Sequence, residues 1–382
     1  MKVPLAWLQL TREKMRLVIA LAGIGFADLL MFMQLGFKTA LFNSATAIHE
    51  RFQGDLVLVS PRSEFLGQMV EFPRTRLYQA RGFEGVESVS YLYIAPGSWK
   101  NPVNPSYNRS LFIFGFNPER PVFDMPEVKE QLDKIKIPDV FLFDEASRAE
   151  FGPVAELFKQ GKTVTTELSD RRIKIGGLFK LGVSFTADGN VITSDLNFIR
   201  ITKRSLEKID VGFINLKPGA DPQLVLENLQ KKLPNDVKVL TMKGFIQMEK
   251  HYWETSTAIG FIFGLGVGMG FIVGIVIVYQ ILYTDVADHL PEYATLKAMG
   301  YTDLYLLNVV FQEAILLSVL GYIPGFVISL ALYNVAKGGT GLPMIMTLDL
   351  ASTVMILTVV MCFVSGAIAV RKLQAADPAD IF

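Results

Sequence analysis

The chain is nearly without cysteine. Cys362 is the only one among 382 residues, and it lies inside an apolar run. That excludes an internal disulfide and a cysteine-rich metal site. Histidine is almost as scarce: His49, His251 and His289 stand far apart, none with a neighbour at ligand spacing. No metal site is expected. Neither sign of charge is in excess, with 37 Lys and Arg against 37 Asp and Glu. A nucleic-acid footprint is therefore absent. Catalytic patterns are missing too, with no H-E-x-x-H and no G-x-S-x-G. "QGKT" at Gln160 to Thr163 imitates the end of a phosphate-binding loop. The full pattern needs glycine at position 156, where Glu156 stands. The chain is not expected to hydrolyse ATP or to bind a cofactor itself.

Apolar sequence is what the chain has in plenty. Half of its residues are hydrophobic, and the mean hydropathy is +0.35. A helix crosses hydrocarbon with about 20 mostly apolar residues. Four spans qualify, at residues 17–39, 256–283, 304–335 and 351–370. The first has a basic start and a small-residue "SATA" at Ser44 to Ala47, as a signal peptide would. Signal cores are only about 7–15 residues long. This run is longer and reads as a retained helix. Lys and Arg favour the cytoplasmic side. Lys2, Arg12, Lys14 and Arg16 precede the first span, and Arg371 and Lys372 follow the last. Both termini are expected in the cytoplasm, residues 1–16 at one end and 371–382 at the other. Residues 40–255 and the short loop 336–350 then lie outside, and the loop 284–303 lies inside. "VPLAWLQL", Val3 to Leu10, reads equally as an interfacial helix or as a helix extension into water.

Residues 40–255 carry period-two and short apolar runs broken by Pro, Asn and Gly. "GDLVLVS", "VSYLYIA", "SLFIFGF" and "DVFLFD" read as strands. "VGFINLK", a helix opened by Asp221 and Pro222, and "DVKVLTM" form a β-α-β unit leading into the second span. The expected fold is four transmembrane helices plus a large α+β extracytoplasmic domain between helices 1 and 2. That domain is expected to hold one sheet near the membrane and a more distal insertion.

Asp28 is the only charge in "GIGFADLLMFMQLGF". Translocon scales put an aspartate at a helix centre at roughly 2.5–3.5 kcal/mol. It needs a partner from another helix, and Ser318, Tyr322, Thr358 and Ser365 are the candidates at similar depth. A polar fastener is favoured over a proton relay, because the other spans offer no ionisable group at mid-depth. In the second span, Gly260, Gly264 and Gly268 form one stripe and Gly266, Gly270 and Gly274 another. Small residues let membrane helices approach closely. Two stripes predict two neighbours, and the sequence leaves open whether one belongs to a second subunit. Pro324, between Gly321 and Gly325, predicts a kink in the third span.

"DHLPEYATLKAMGYTDLYL", Asp288 to Leu306, places Glu292, Thr295, Leu296 and Met299 at helical spacing, and Gly300 ends the helix. Surface helices on membranes are normally rich in Lys and Arg. This one has only Lys297, so docking into a protein groove is favoured. The stretch resembles the E-x-x-x-L-(K/R)-A-x-G coupling segment of FtsX/MacB-type ABC transporter permeases. The glycine-rich second span, "FQEAILLSVLGYIPGF" and "AADPADIF" are similar to the same family. "FADLLMFMQLGFKTALF", "FLFDEASRAEFGP" and "GLFKLGVSFTADGNVITSD" resemble its cyanobacterial DevC branch. The resemblance implies a homodimeric permease subunit in a bacterial inner membrane. It implies a separate ATPase that holds ATP and magnesium, a periplasmic membrane-fusion protein and, indirectly, a TolC-like channel. For that branch it implies export of a glycolipid. It places the ATPase contact at Glu292, Thr295, Leu296, Lys297, Met299 and Gly300, assisted by Asp377 to Phe382. The family's basic residue before this segment has no counterpart, since Asp288 and His289 stand there.

Overall fold

The computed structural model describes Trp7 and residues 12–184, 186–292, 295, 299–300 and 302–374, without the side chains of 303–306 and 371–374. "VPLAWLQL" apart from Trp7, Leu296, Lys297 and Asp377 to Phe382 lie outside the described residues. The chain divides into two compact units. One comprises Met1–Ala40 and Ala258–Phe382, the other Leu41–Thr257.

The first unit is built from four long helices: Lys14–Thr46, Ala258–Asp288, Asp303–Thr340 and Leu348–Gln374. Each contains a window long and apolar enough to cross a membrane, and only 22–44% of each window is buried. Helices this apolar all round suit a hydrocarbon surrounding rather than water. The helices extend past the spans expected from hydropathy, because backbone hydrogen bonding continues into the polar flanks. The third helix runs through Pro324 without ending. It stops at Gly341, whose φ of 72° allows the left-handed C-terminal cap.

The second unit is α+β. Its strands are β1 (Leu56–Val59), β2 (Phe72–Pro73), β3 (Val86–Lys100), β4 (Asn108–Phe116), β5 (Val140–Asp144) and β6 (Thr165–Leu168). They continue with β7 (Arg171–Phe179), β8 (Asn190–Ser194), β9 (Lys208–Ile209), β10 (Val211–Leu216) and β11 (Lys238–Thr241). Nine of them form one sheet in the order β11-β1-β10-β3-β4-β8-β5-β7-β6. Most of the strands thus belong to one sheet. The reason is the length of β3: its first half pairs with β10 and its second half with β4, which joins both halves into one layer. The β-α-β unit is also split. β1 lies between β10 and β11 and is antiparallel to both. Asp221 caps the intervening helix by accepting from the Gln223 amide at 2.9 Å.

Alternation assigns the core. Leu56 and Leu58 join a cluster with Trp99, Tyr93 and Phe198, while Val57 and Val59 join Phe114, Phe123 and Phe213. Both faces of the sheet are therefore covered, unlike a sheet with one wet face. In this unit His49 and Glu249 are fully buried, with Nε2 and Oε2 3.5 Å apart. The Leu66 amide and Trp253 Nε1 donate to Glu249 at 2.7 and 2.9 Å.

Candidate functional site at the helix ends

The loop between the second and third long helices is flanked by a ladder of charges that no local pattern reveals. Arg16, near the start of the first long helix, donates from Nη2 to Asp288 Oδ2 at 2.6 Å. Its Nη1 lies 3.8 Å from Asp285 Oδ1, and Glu13 sits one turn back at 3.1 Å. One turn earlier, Arg12 reaches Glu292 at 3.5 Å. Arg16 on the first helix and Arg12 just before it thus meet Asp285 and Asp288 at the end of the second helix and Glu292 just beyond it.

Inside this ladder, Glu313 of the third helix is fully buried beside Asp285. No donor among the described residues reaches its oxygens. His289 Nδ1 approaches the Asp285 carbonyl at 2.8 Å. Hydropathy alone does not single out this group. Glu313 falls one residue before the most apolar part of its span, and Asp285 two residues past the end of its own. The signal is a lone acid in an apolar run, together with Asp285, Asp288 and His289 at three- and four-residue spacing.

Of the coupling residues, Glu292, Thr295, Met299 and Gly300 are described. Thr295 Oγ1 donates to the Pro291 carbonyl at 2.8 Å, and the Met299 amide donates to the Thr295 carbonyl at 3.1 Å. Both are one-turn helical spacings. Gly300 has φ 96°, a left-handed position that glycine fills without strain. Met299 is 64% exposed, an apolar side chain held out on a short helical turn.

Asp28 lies elsewhere in the bundle, fully buried. Thr358 Oγ1 of the fourth helix lies 2.6 Å from Asp28 Oδ1 and 2.8 Å from the Val354 carbonyl, and its one proton is shared between these two acceptors. Thr358 is one of the four candidates at that depth. Tyr322, another, instead donates to the Ala351 carbonyl at 3.0 Å. Ser365 donates to the Ile275 carbonyl, and Ser318 to its own helix. The first and third helices cross closely at the same place. A Cβ on Gly325 would lie 2.8 Å from Asp28 Cβ and 2.9 Å from the Gly25 carbonyl. Gly325 thus serves a helix crossing.

The two glycine stripes have different surroundings. A Cβ on Gly266 would meet Gln34, one on Gly270 would meet Met31, and one on Gly274 would overlap Met361 and press on Ala27. That stripe packs against the first and fourth helices. Gly264 and Gly268 face open space, and Gly260 is half-buried. The two neighbours expected from two stripes are thus both met by one stripe.

Four membrane-length helices, with the α+β unit between the first and second in sequence, define a multi-pass membrane protein. Residues 264–378 match the FtsX family, described as FtsX-like permease C-terminal. The chain is therefore a membrane protein whose residues 264–378 are similar to the C-terminal part of FtsX-like permeases. Among solved structures, the periplasmic region of MacB from Actinobacillus actinomycetemcomitans is similar at 11% identity and TM-score 0.35. That match covers 52% of this chain and 94% of that one. The extracellular domain of the noncanonic ABC-type transporter YknZ from Gram-positive bacteria is similar at 11% identity and TM-score 0.33. It covers 49% of this chain and 99% of that one. No curated relative matches the chain.

Proposed function

We infer that this chain is the transmembrane subunit of an ABC exporter that transmits movement rather than forming a hydrophilic channel. The observation that carries the reading is the FtsX-like match over 264–378, which contains the segment Glu292 to Gly300. The ladder Arg12–Glu292 and Arg16–Asp288 ties that segment's root to the first helix. A push on the segment would reach two helices at once. Those two helices are the ones that flank residues 41–257 in sequence. Coupling of this kind needs an element with two arrangements biased by the nucleotide. In this reading ATP and magnesium are held by a separate ATPase, and the permease acts as a homodimer in a bacterial inner membrane with both termini in the cytoplasm. A membrane-fusion protein and a TolC-like channel complete the export path. The DevC-like stretches favour a glycolipid or other amphiphile as cargo. Glu292, Thr295, Leu296, Lys297, Met299 and Gly300 make the ATPase contact. Asp28 and the stripe Gly266, Gly270 and Gly274 hold the bundle rigid.

Co-expression with an ABC ATPase from the same genome, followed by purification through a tag on this chain, tests the reading. A stoichiometric ATPase is expected. A chain that captures none would be a membrane-anchored partner-binding protein instead.

A further inference from the structure

"QGKT" is not a phosphate-binding loop, and its structure shows why. The short helix Val154–Lys159 ends in a two-bond left-handed cap. The Gly161 amide donates to the Phe158 carbonyl at 3.0 Å, and the Lys162 amide to the Leu157 carbonyl at 3.1 Å. Gly161 has φ 77°, which this cap requires. The amides that would cradle a phosphate are occupied in closing the helix. The Lys162 side chain is not occupied.

Lys162 lines a cleft of about 400 Å³ within the α+β unit, together with Lys134 and Lys174. This volume lies inside the roughly 300–1,000 Å³ range of small-molecule sites. Among the described residues, Lys134 donates to Gln131 at 3.1 Å and has no ion-pair partner. Neither Lys162 nor Lys174 has an ion-pair partner among the described residues, and no Asp or Glu lines the cleft. Beside Thr163, the rest of the wall is mostly apolar, with Ile137, Val140, Phe158 and Ile175. Ile137 is 55% exposed, a large apolar side chain left open beside the cations.

We propose that this cleft binds a phosphate monoester carrying a short alkyl or acyl portion. Three lysines on the lining of one cleft, with no Asp or Glu beside them, suit a dianion better than a monoanion, and lysine serves phosphate as a point charge. The apolar wall takes the carbon chain. The site is independent of the transport reading, because it concerns binding to this chain alone.

The test is calorimetric titration of the full chain in zwitterionic lipid discs, with empty discs subtracted. Hexyl phosphate, inorganic phosphate and hexanol are the probes. One hexyl phosphate per chain is expected, at least tenfold tighter than inorganic phosphate, with no saturable binding of hexanol. Lys162→Glu with Lys174→Glu should weaken hexyl phosphate at least tenfold. Ile137→Ser should remove its advantage over inorganic phosphate. Both lysines are exposed, so the melting temperature of the double variant should match the parent's. If it does not, Lys162→Gln with Lys174→Gln carries the same comparison. Discs doped with phosphatidic acid separate the sources. A membrane lipid would compete with hexyl phosphate and a soluble ester would not, and either result supports the site. Hexyl phosphate binding that is absent, or unchanged in both lysine pairs, overturns it.

Discussion

Thr358 donates to Asp28 across 330 positions of sequence, joining the first and fourth long helices inside the bundle. A carboxyl in a dry setting is costly unless hydrogen-bonded. The fastener account therefore predicts an asymmetry. Thr358→Val keeps the shape and removes the donor, and should cost about 1–3 kcal/mol. Replacing both partners, as Asp28→Leu with Thr358→Val, should recover part of that loss. Thermal unfolding in detergent reads both. An unchanged melting temperature for Thr358→Val, or intact assembly and coupled ATPase in Asp28→Leu, would contradict the account.

The glycine stripes should respond in opposite ways. Gly274→Leu drives a side chain into Met361 and Ala27, and overpacking of this kind costs about 1–3 kcal/mol or more. Gly268→Leu points into open space and should stay within about 0.5 kcal/mol. Equal melting temperatures for the two variants would mean that the stripes are equivalent.

The Arg16–Asp288 pair is partly exposed, at 27% and 49%. Pairs of this type contribute about 0–1 kcal/mol. Arg16→Asp or Asp288→Arg alone should barely move the melting temperature, yet should lower ATPase stimulation by the permease. The double exchange should restore it. Failure of the exchange to restore stimulation would remove the ladder from the coupling path.

His49 and Glu249 give the α+β unit a pH signature. Burial is the leading cause for both groups. It raises the Glu249 carboxyl to about 7, against donors from Trp253 and Leu66 that lower it. It lowers the His49 imidazole to about 3. The unfolded Glu249 releases its proton near 4.5, while the folded one holds it to about 7. Between those values the folded state binds more protons, so this group's contribution to stability falls as pH rises and levels off above 7. His49 acts in the opposite sense. From its ordinary 6.5 down toward 3 the unfolded state binds the extra proton, and stability falls as pH falls. Glu249→Gln should therefore gain on the parent by about 1–3 kcal/mol between pH 4.5 and pH 8. Melting curves of the full chain at both values measure it. A gap that does not change with pH would place the carboxylate in a solvated setting.

The long helices are legible in the sequence because an unbroken apolar run of about 20 residues matches the thickness of a bilayer core. β1, β3, β4 and β5 are legible because alternation and turn residues are local signals. The insertion of β1 between β10 and β11 is hidden, since strand order is decided by pairing between distant segments. The same holds for the candidate site. Gly300 is legible as a helix stop from its own chemistry. Arg16 and Asp288 are 272 residues apart, and no periodicity links them. For Asp28 the depth argument reaches four candidates, and only packing selects Thr358.

The central claim is that the segment Glu292 to Gly300 couples this chain to an ATPase. Its most direct test is the ATPase rate of the co-purified complex, comparing the parent with Glu292→Arg combined with Leu296→Asp. The account predicts that the parent stimulates hydrolysis and that the variant, still folded, loses both the bound ATPase and the stimulation. A variant that keeps both would contradict it.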